Sequence, residues 1–293
     1  MVQIMDRYDS DKAMQDRLDR LIDENKDLKY KIDKLNNDTH KRKRGQGLLR
    51  KIGIFLFLLG LGLLVILIYE GYKDYRSAKS VKRLQKEREA LGNIDDADVS
   101  EILPEYRKMY QTNSDLVGWI VVDGTDINYP VVQSKVYQEY YLDHNFDGEE
   151  DDAGAIFADA RNDVFLPDDN IILYGHNMKN GSMFGTLQSY LDKTYYDSHK
   201  TISFDTLYDR HKYEIVSVGL SKISDESADT FKYYNFLNAS SKKKFGNYVK
   251  NIKKLEAYDT GVSMKYGDKL ITLSTCNSVE EDGRLFIIAK EIK

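Results

Sequence analysis

Three residues at the ends of three apolar runs have the side chains for covalent chemistry. Cys276, the only cysteine in 293 residues, ends "KLITLSTC". Arg284 opens the next run, "RLFIIAK", and His176 ends an earlier one, "NIILYGH". A cysteine nucleophile needs thiolate character, a base or imidazolium within reach, and a donor for the oxyanion. These three residue types supply those three needs. A residue at the end of a buried strand is held rigidly while its side chain reaches a mouth or cleft, so three such ends could converge on one rim. Spacing alone leaves a plainer alternative standing: a small buried cysteine, a strand-terminal histidine and a surface arginine with no relation to one another. The other histidines offer less. His40 sits in a basic run, and His144, His199 and His211 stand among loop-type residues that suit solvated or capping roles.

Composition narrows the field. One cysteine excludes an intramolecular disulfide and any site of several thiolates, such as a structural zinc or an iron–sulfur cluster. The net charge of −5 argues against a nucleic-acid partner. Apolar residues make up 41%, enough for a sizeable core, and the 22 tyrosines with only three prolines favour strands.

The elements that must position the trio occupy the C-terminal two thirds. "GWIVV", "INYPVVQ", "GAIFAD", "NIILYGH", "HKTISFD", "YEIVSVGLSKI", "KLITLSTC" and "RLFIIAKEI" are short β-branched and aromatic runs separated by turn residues. Pro130 points to an edge or bulge in its run. Two helical patches interrupt, one over Met183 to Leu191 and one from Ser240 to Tyr258. In the second, Phe245, Tyr248, Val249, Ile252 and Leu255 share one face. The pattern predicts a mostly β domain with flanking helices (α+β), its eight strands closed into a barrel that leaves no sheet edge open.

Ahead of this domain, "IGIFLFLLGLGLLVILIY", residues 52–69, holds no charge. As a helix it would span about 27 Å, close to the hydrocarbon thickness, and no small-residue cleavage site follows it. An uncleaved transmembrane anchor is the expectation. Basic flanks of Lys41, Arg42, Lys43, Arg44, Arg50 and Lys51 on one side, and of Lys73, Arg76, Lys79, Lys82 and Arg83 on the other, barely bias its orientation. Residues 1–51 form a charged, helical N-terminal segment. In it, Leu18, Asn25 and Ile32 at a and Leu21, Leu28 and Leu35 at d, after Met14, keep a 3.5-residue period. That spacing fits a parallel homodimer through residues 14–35, with Glu24 and Lys29 attracting across it, and equally a single amphipathic helix. Residues 70–100 read as a polar helical stalk and a linker, with Asp98 or Ser100 capping the helix "EILPEYRKMYQTN" that opens the domain of residues 101–293.

The same residues carry a resemblance. "TLSTC" with an arginine opening the final strand resembles the catalytic signature of sortases. "IILYGHNMKNGSMFGTLQSY" is similar to the histidine segment of class B sortases. "LVGWIVVDGTDINYPVVQ", "YYLDHNFDG" and "GAIFADARN" look like further class B segments, in the family's order. The stretch "NSVEEDG" departs from it, being short and acidic where many class B members have a longer, aromatic-containing piece.

The resemblance implies a membrane-anchored cysteine transpeptidase of Gram-positive bacteria, with the N-terminus in the cytoplasm and the catalytic domain outside. Cys276 would be the nucleophile, His176 the proton carrier and Arg284 the oxyanion or substrate-backbone donor. Tyr174, Ser274 and Thr275 would contact substrate; alternation puts Tyr174 and Ser274 on the catalytic side, while for Thr275 a core role fits as well. The partners would be secreted proteins with a C-terminal sorting signal, and an amine of peptidoglycan or its lipid-linked precursor. No metal or cofactor is required. Joining of pilin subunits and plain endopeptidase activity are the alternatives.

Overall fold

The computed structural model describes residues 17, 20–32, 46–91, 102–134, 137–222, 231–276 and 283–292. Two compact units divide the chain between Tyr72 and Lys73.

In the first unit, helix α1 covers residues 20–32, with Leu21 and Leu28 of the heptad series exposed. Met14, Leu18 and Leu35 lie outside the described residues. Helix α2, Gln46–Leu91, begins in this unit and runs into the next. Its apolar stretch is long and apolar enough to cross a membrane, with none of that stretch buried against protein.

The second unit is a closed barrel of eight strands. They are β1 (Leu116–Val122), β2 (Asn128–Val132), β3 (Ile156–Ala158), β4 (Asn170–Tyr174), β5 (Thr201–Thr206), β6 (Arg210–Lys222), β7 (Leu270–Cys276) and β8 (Gly283–Ile292). Around the barrel the order is β1-β2-β3-β4-β7-β8-β6-β5. β2–β3 and β4–β7 pair in parallel, and the other neighbours run antiparallel. All eight expected runs are strands, because each alternates one apolar face toward a shared centre. Ile120, Val131, Ile156, Leu173, Phe204, Val218, Leu273 and Ile287, one from each strand, fill that centre and are at most 1% exposed. Burying each is worth roughly 1.5–3 kcal/mol before chain entropy is subtracted.

Pro130 keeps its place without an open sheet edge. It faces Trp119 on β1, while β3 begins its pairing one residue later, at Val131, so no ladder partner is owed its missing N–H. The expected helix over Met183 to Leu191 is instead a 3-10 turn, Gly185–Leu191, followed by the short helix α4, Lys193–Ser198. Asp192 sets that break by accepting the N–H of Thr194 as an N-cap.

Helix α3 spans Pro104–Thr112 and starts at its proline, which fits the first helical position because no intrahelical N–H is needed there. Its capping residue is Leu103, and Asp98 and Ser100 lie outside the described residues. Helix α5, Lys242–Leu255, lays Phe245, Tyr248 and Ile252 on the outer barrel face over Phe286 and Ile288.

From Lys73 onward α2 lies against the barrel, in the stretch expected as a polar helical stalk. Leu84 is buried there, Arg83 pairs with Asp147, and Arg76 pairs with Glu149. Arg88 reaches both Asp205 and the Tyr106 hydroxyl and lies 5.3 Å above the Trp119 ring. The acidic loop 143–152 thus supplies counter-charges that local helix patterning does not reveal.

Candidate active site

Parallel pairing of β4 with β7 sets the register. Asn170 stands opposite Leu270, and each later pair follows in step to Tyr174 opposite Ser274. His176 lies two residues past that last pair, and so does Cys276. On the other side of β7, Cys276 is directly opposite Arg284 of β8. The three expected residues therefore lie at the same end of three adjacent strands. Strand alternation sorts their neighbours. Ile271 and Leu273 point into the barrel, as do Ile171 and Leu173. Cys276 and Ser274 on β7, and Tyr174 on β4, take the opposite, outward face, and His176 follows β4 by two residues.

Each side chain has an identifiable holder. The Cys276 thiol is exposed, while its backbone carbonyl accepts from Gln188 Nε2 at 3.1 Å. The loop after His176 is closed by the N–H of Phe184 donating to the His176 carbonyl at 2.9 Å and by an Asn177–Met183 bridge. "NMKNG" is a turn within it, with Gly181 at φ 80. His176 Nε2 lies 2.7 Å from the carbonyl oxygen of Leu142. A carbonyl only accepts, so Nε2 carries the hydrogen, and in the neutral ring Nδ1 holds the lone pair. Arg284 Nη1 donates to the Gly283 carbonyl at 3.2 Å, and among the described residues its guanidinium pairs with no carboxylate. The stretch 277–282, most of "NSVEEDG", lies outside the described residues.

The three expected substrate contacts separate. Thr275 is 2% exposed and points inward, where its hydroxyl donates to the Gly175 carbonyl at 2.7 Å. It ties β7 to the residue just before His176. Ser274 faces outward but is also 2% exposed, its Oγ 2.6 Å from the Tyr233 hydroxyl. Tyr174 is half-buried, and its hydroxyl donates to Asp159 Oδ2 at 3.0 Å.

Sequence reasoning gave no role to Tyr233, Asp159 or Arg161. Tyr233 sits in a 3-10 turn, Tyr233–Asn235, against Phe286, with ring centroids 4.6 Å apart. Burial pushes its hydroxyl up to about 12; the bond to Ser274 and the Arg284 charge pull it down, and Cys276 pushes it up. Asp159 is fully buried, and burial alone would raise its carboxyl. Hydrogen bonds from the Arg161 side chain and backbone and from Tyr174 outweigh burial and hold it below the ordinary carboxylate range. Asp159 and Arg161 stand in plain view in "GAIFADARN", but a turn-flanking acid–arginine pair is common and marks nothing by itself. His144, His199 and His211 are occupied elsewhere, by Asp143, by the Tyr195 carbonyl and by Glu291.

The model of the Sortase domain family matches residues 120–292, which include all three side chains. The chain belongs to the sortase family. Sortase B of Listeria monocytogenes is 34% identical over 82% of this chain and 92% of its own length, and sortase B of Staphylococcus aureus is 31% identical over 82% and 97%. Among solved structures, a Bacillus anthracis sortase B complex superposes with a TM-score of 0.66 at 35% identity, covering 75% of this chain and 97% of that one. A Staphylococcus aureus sortase B–substrate complex gives 0.66 at 28%, covering 76% and 99%. This sortase is of class B, a cysteine transpeptidase of the cell surface that anchors surface proteins.

Proposed function

We propose that Cys276 is the nucleophile of this sortase, with His176 as proton carrier and Arg284 as oxyanion donor. The shared strand-end register of the three supports this reading most directly. The Cys276 thiolate attacks the scissile carbonyl carbon of a sorting signal, and the carbonyl oxygen takes up the negative charge. The guanidinium of Arg284 is permanently charged and forked, which suits it to that oxygen. The carbon–nitrogen bond then breaks, a proton on His176 passes to the departing amine, and a thioacyl-enzyme remains. A peptidoglycan amine attacks the thioester, loses its proton to His176, and the thiolate leaves. With Nε2 held by the Leu142 carbonyl, Nδ1 is the nitrogen that exchanges the proton.

Tyr174 serves as a substrate contact beside the thiol, whereas Ser274 and Thr275 act through Tyr233 and Gly175. The apolar stretch 52–69 crosses the membrane, with residues 1–51 in the cytoplasm and the catalytic domain outside. Its class B relatives favour wall anchoring over subunit polymerisation.

Steady-state cleavage of a fluorogenic sorting peptide tests the assignment. Cys276→Ala is expected to be inactive. Arg284→Lys should lose about 100-fold or more in kcat, and His176→Ala a comparable factor. Cleavage at the parent rate by Cys276→Ala would refute the nucleophile, and a mild effect of His176→Ala would move the proton-carrier role elsewhere.

A further inference from the structure

The Tyr233–Asn235 turn forms a wall over the outward face of β4 and β7, next to the thiol end of β7. Its position is set from two points. Asn170, at the start of β4, donates through its side chain to the Phe236 carbonyl at 2.9 Å, and its N–H donates to the Leu237 carbonyl at 2.9 Å. Arg161 makes the second attachment. Its Nη2 donates to the Tyr234 carbonyl at 2.8 Å, and Nη1 donates to Asn235 Oδ1 at 3.4 Å.

Arg161 can hold the wall because it is itself held. Its Nε donates to Asp159 Oδ1 at 2.8 Å and its Nη2 to Asp159 Oδ2 at 2.7 Å, a forked pair on a fully buried carboxylate. The same Oδ2 accepts the Tyr174 hydroxyl. One carboxylate therefore fixes Tyr174 on the floor and, through Arg161, the backbone of the wall. The wall's Tyr233 then reaches Ser274, two residues before Cys276.

We infer that Arg161 is a positioning residue for substrate: it latches the Tyr233–Asn235 wall to Asp159 and so shapes the surface on which the sorting peptide lies. This rests on the reading of Cys276 as nucleophile. Arg161 is half-exposed and contributes little to the core. Tyr233 and Phe286 pack together without it, so its loss loosens the wall while the barrel remains. The hydrogen bonds of the latch go to Asp159, Tyr234 and Asn235, so its loss is expected in peptide binding rather than in thiol reactivity.

The test is a set of full-length variants, with peptide cleavage kinetics measured beside the rate at which a small methanethiosulfonate reagent modifies Cys276. Arg161→Gln, which takes away both attachments to the wall, should raise KM about tenfold, while kcat stays within about threefold. The modification rate should stay within about twofold. Arg161→Lys, which keeps the charge but loses the fork, should fall between parent and Arg161→Gln. Asn235→Ala, removing only the weaker contact, should raise KM about twofold to threefold, and it provides the measurement if Arg161→Gln fails to fold. An unchanged KM in Arg161→Gln, or in Asn235→Ala where that variant must stand in, overturns the latch. So does a loss of kcat that tracks slower thiol modification. Cleavage surviving in Cys276→Ala would overturn the nucleophile reading and the latch with it; an inactive Cys276→Ala beside an unchanged KM overturns the latch alone.

Discussion

Replacing Thr275 by valine removes one hydroxyl and keeps the shape of the side chain. That hydroxyl is buried and donates at 2.7 Å to the carbonyl of Gly175, itself buried. Valine leaves the carbonyl without this donor, in a place water does not reach. An unsatisfied buried acceptor costs about 1–3 kcal/mol. At about 2 kcal/mol, a domain of this size should melt roughly 4–8 °C lower. The catalytic effect should exceed the effect on binding. Gly175 immediately precedes His176, so a β4 end that drifts from β7 moves the imidazole relative to the thiol. Misplacement by about 1 Å can cost a factor near 100 in rate. Thr275→Val is therefore expected to lose about tenfold to 100-fold in kcat with little change in KM, and Thr275→Ser, which keeps the hydroxyl, should recover most of it. Thermal melts and steady-state peptide cleavage read both effects. A Thr275→Val enzyme with parent kcat would refute the positioning argument, even if it melts lower. Thr275→Ser as slow as Thr275→Val would show that shape, not the hydroxyl, matters.

Two further outcomes follow from neighbouring residues. Gly154 has φ +58, and a Cβ there would meet the carbonyl oxygens of Tyr141 and Leu142; Gly154→Ala should lose about 1–3 kcal/mol from backbone strain and also displace the carbonyl that holds His176, and parent activity with parent stability would count against that route. The lowered carboxyl of Asp159 contributes stability that is present above its unfolded value near 4 and is lost as the pH falls through its folded value. Asp159→Asn should be less stable at pH 7 and show a shallower fall in urea midpoint between pH 5 and about 2.5; identical slopes for the two proteins would dismiss the linkage.

Much of this sortase was legible residue by residue. Each strand announced itself by an alternating or continuous apolar run with turn residues on either side, and α5 by its single apolar face, because those signals are local. The apolar stretch 52–69 stands out for the same reason. The roles of Thr275 and Ser274 were not legible. Their placement depends on Gly175 and Tyr233, partners 100 and 41 residues away. The docking of α2 escaped too, since Arg76 and Arg83 look like any solvated basic residues until the loop carrying Glu149 and Asp147 is folded beside them.

By itself the sequence determined which side chains were available and that three of them stand at the ends of apolar runs: one thiol, one imidazole, one guanidinium. Only the tertiary structure decided that the three lie at one end of neighbouring strands. The β4–β7 register sets His176 and Cys276 level, the β7–β8 register sets Arg284 opposite, and the Leu142 carbonyl holds the imidazole by Nε2. Register is the outcome of pairing strands far apart in the chain. A backbone carbonyl is the same chemical group whatever residue carries it, so its role as a partner leaves no trace in the order of amino acids.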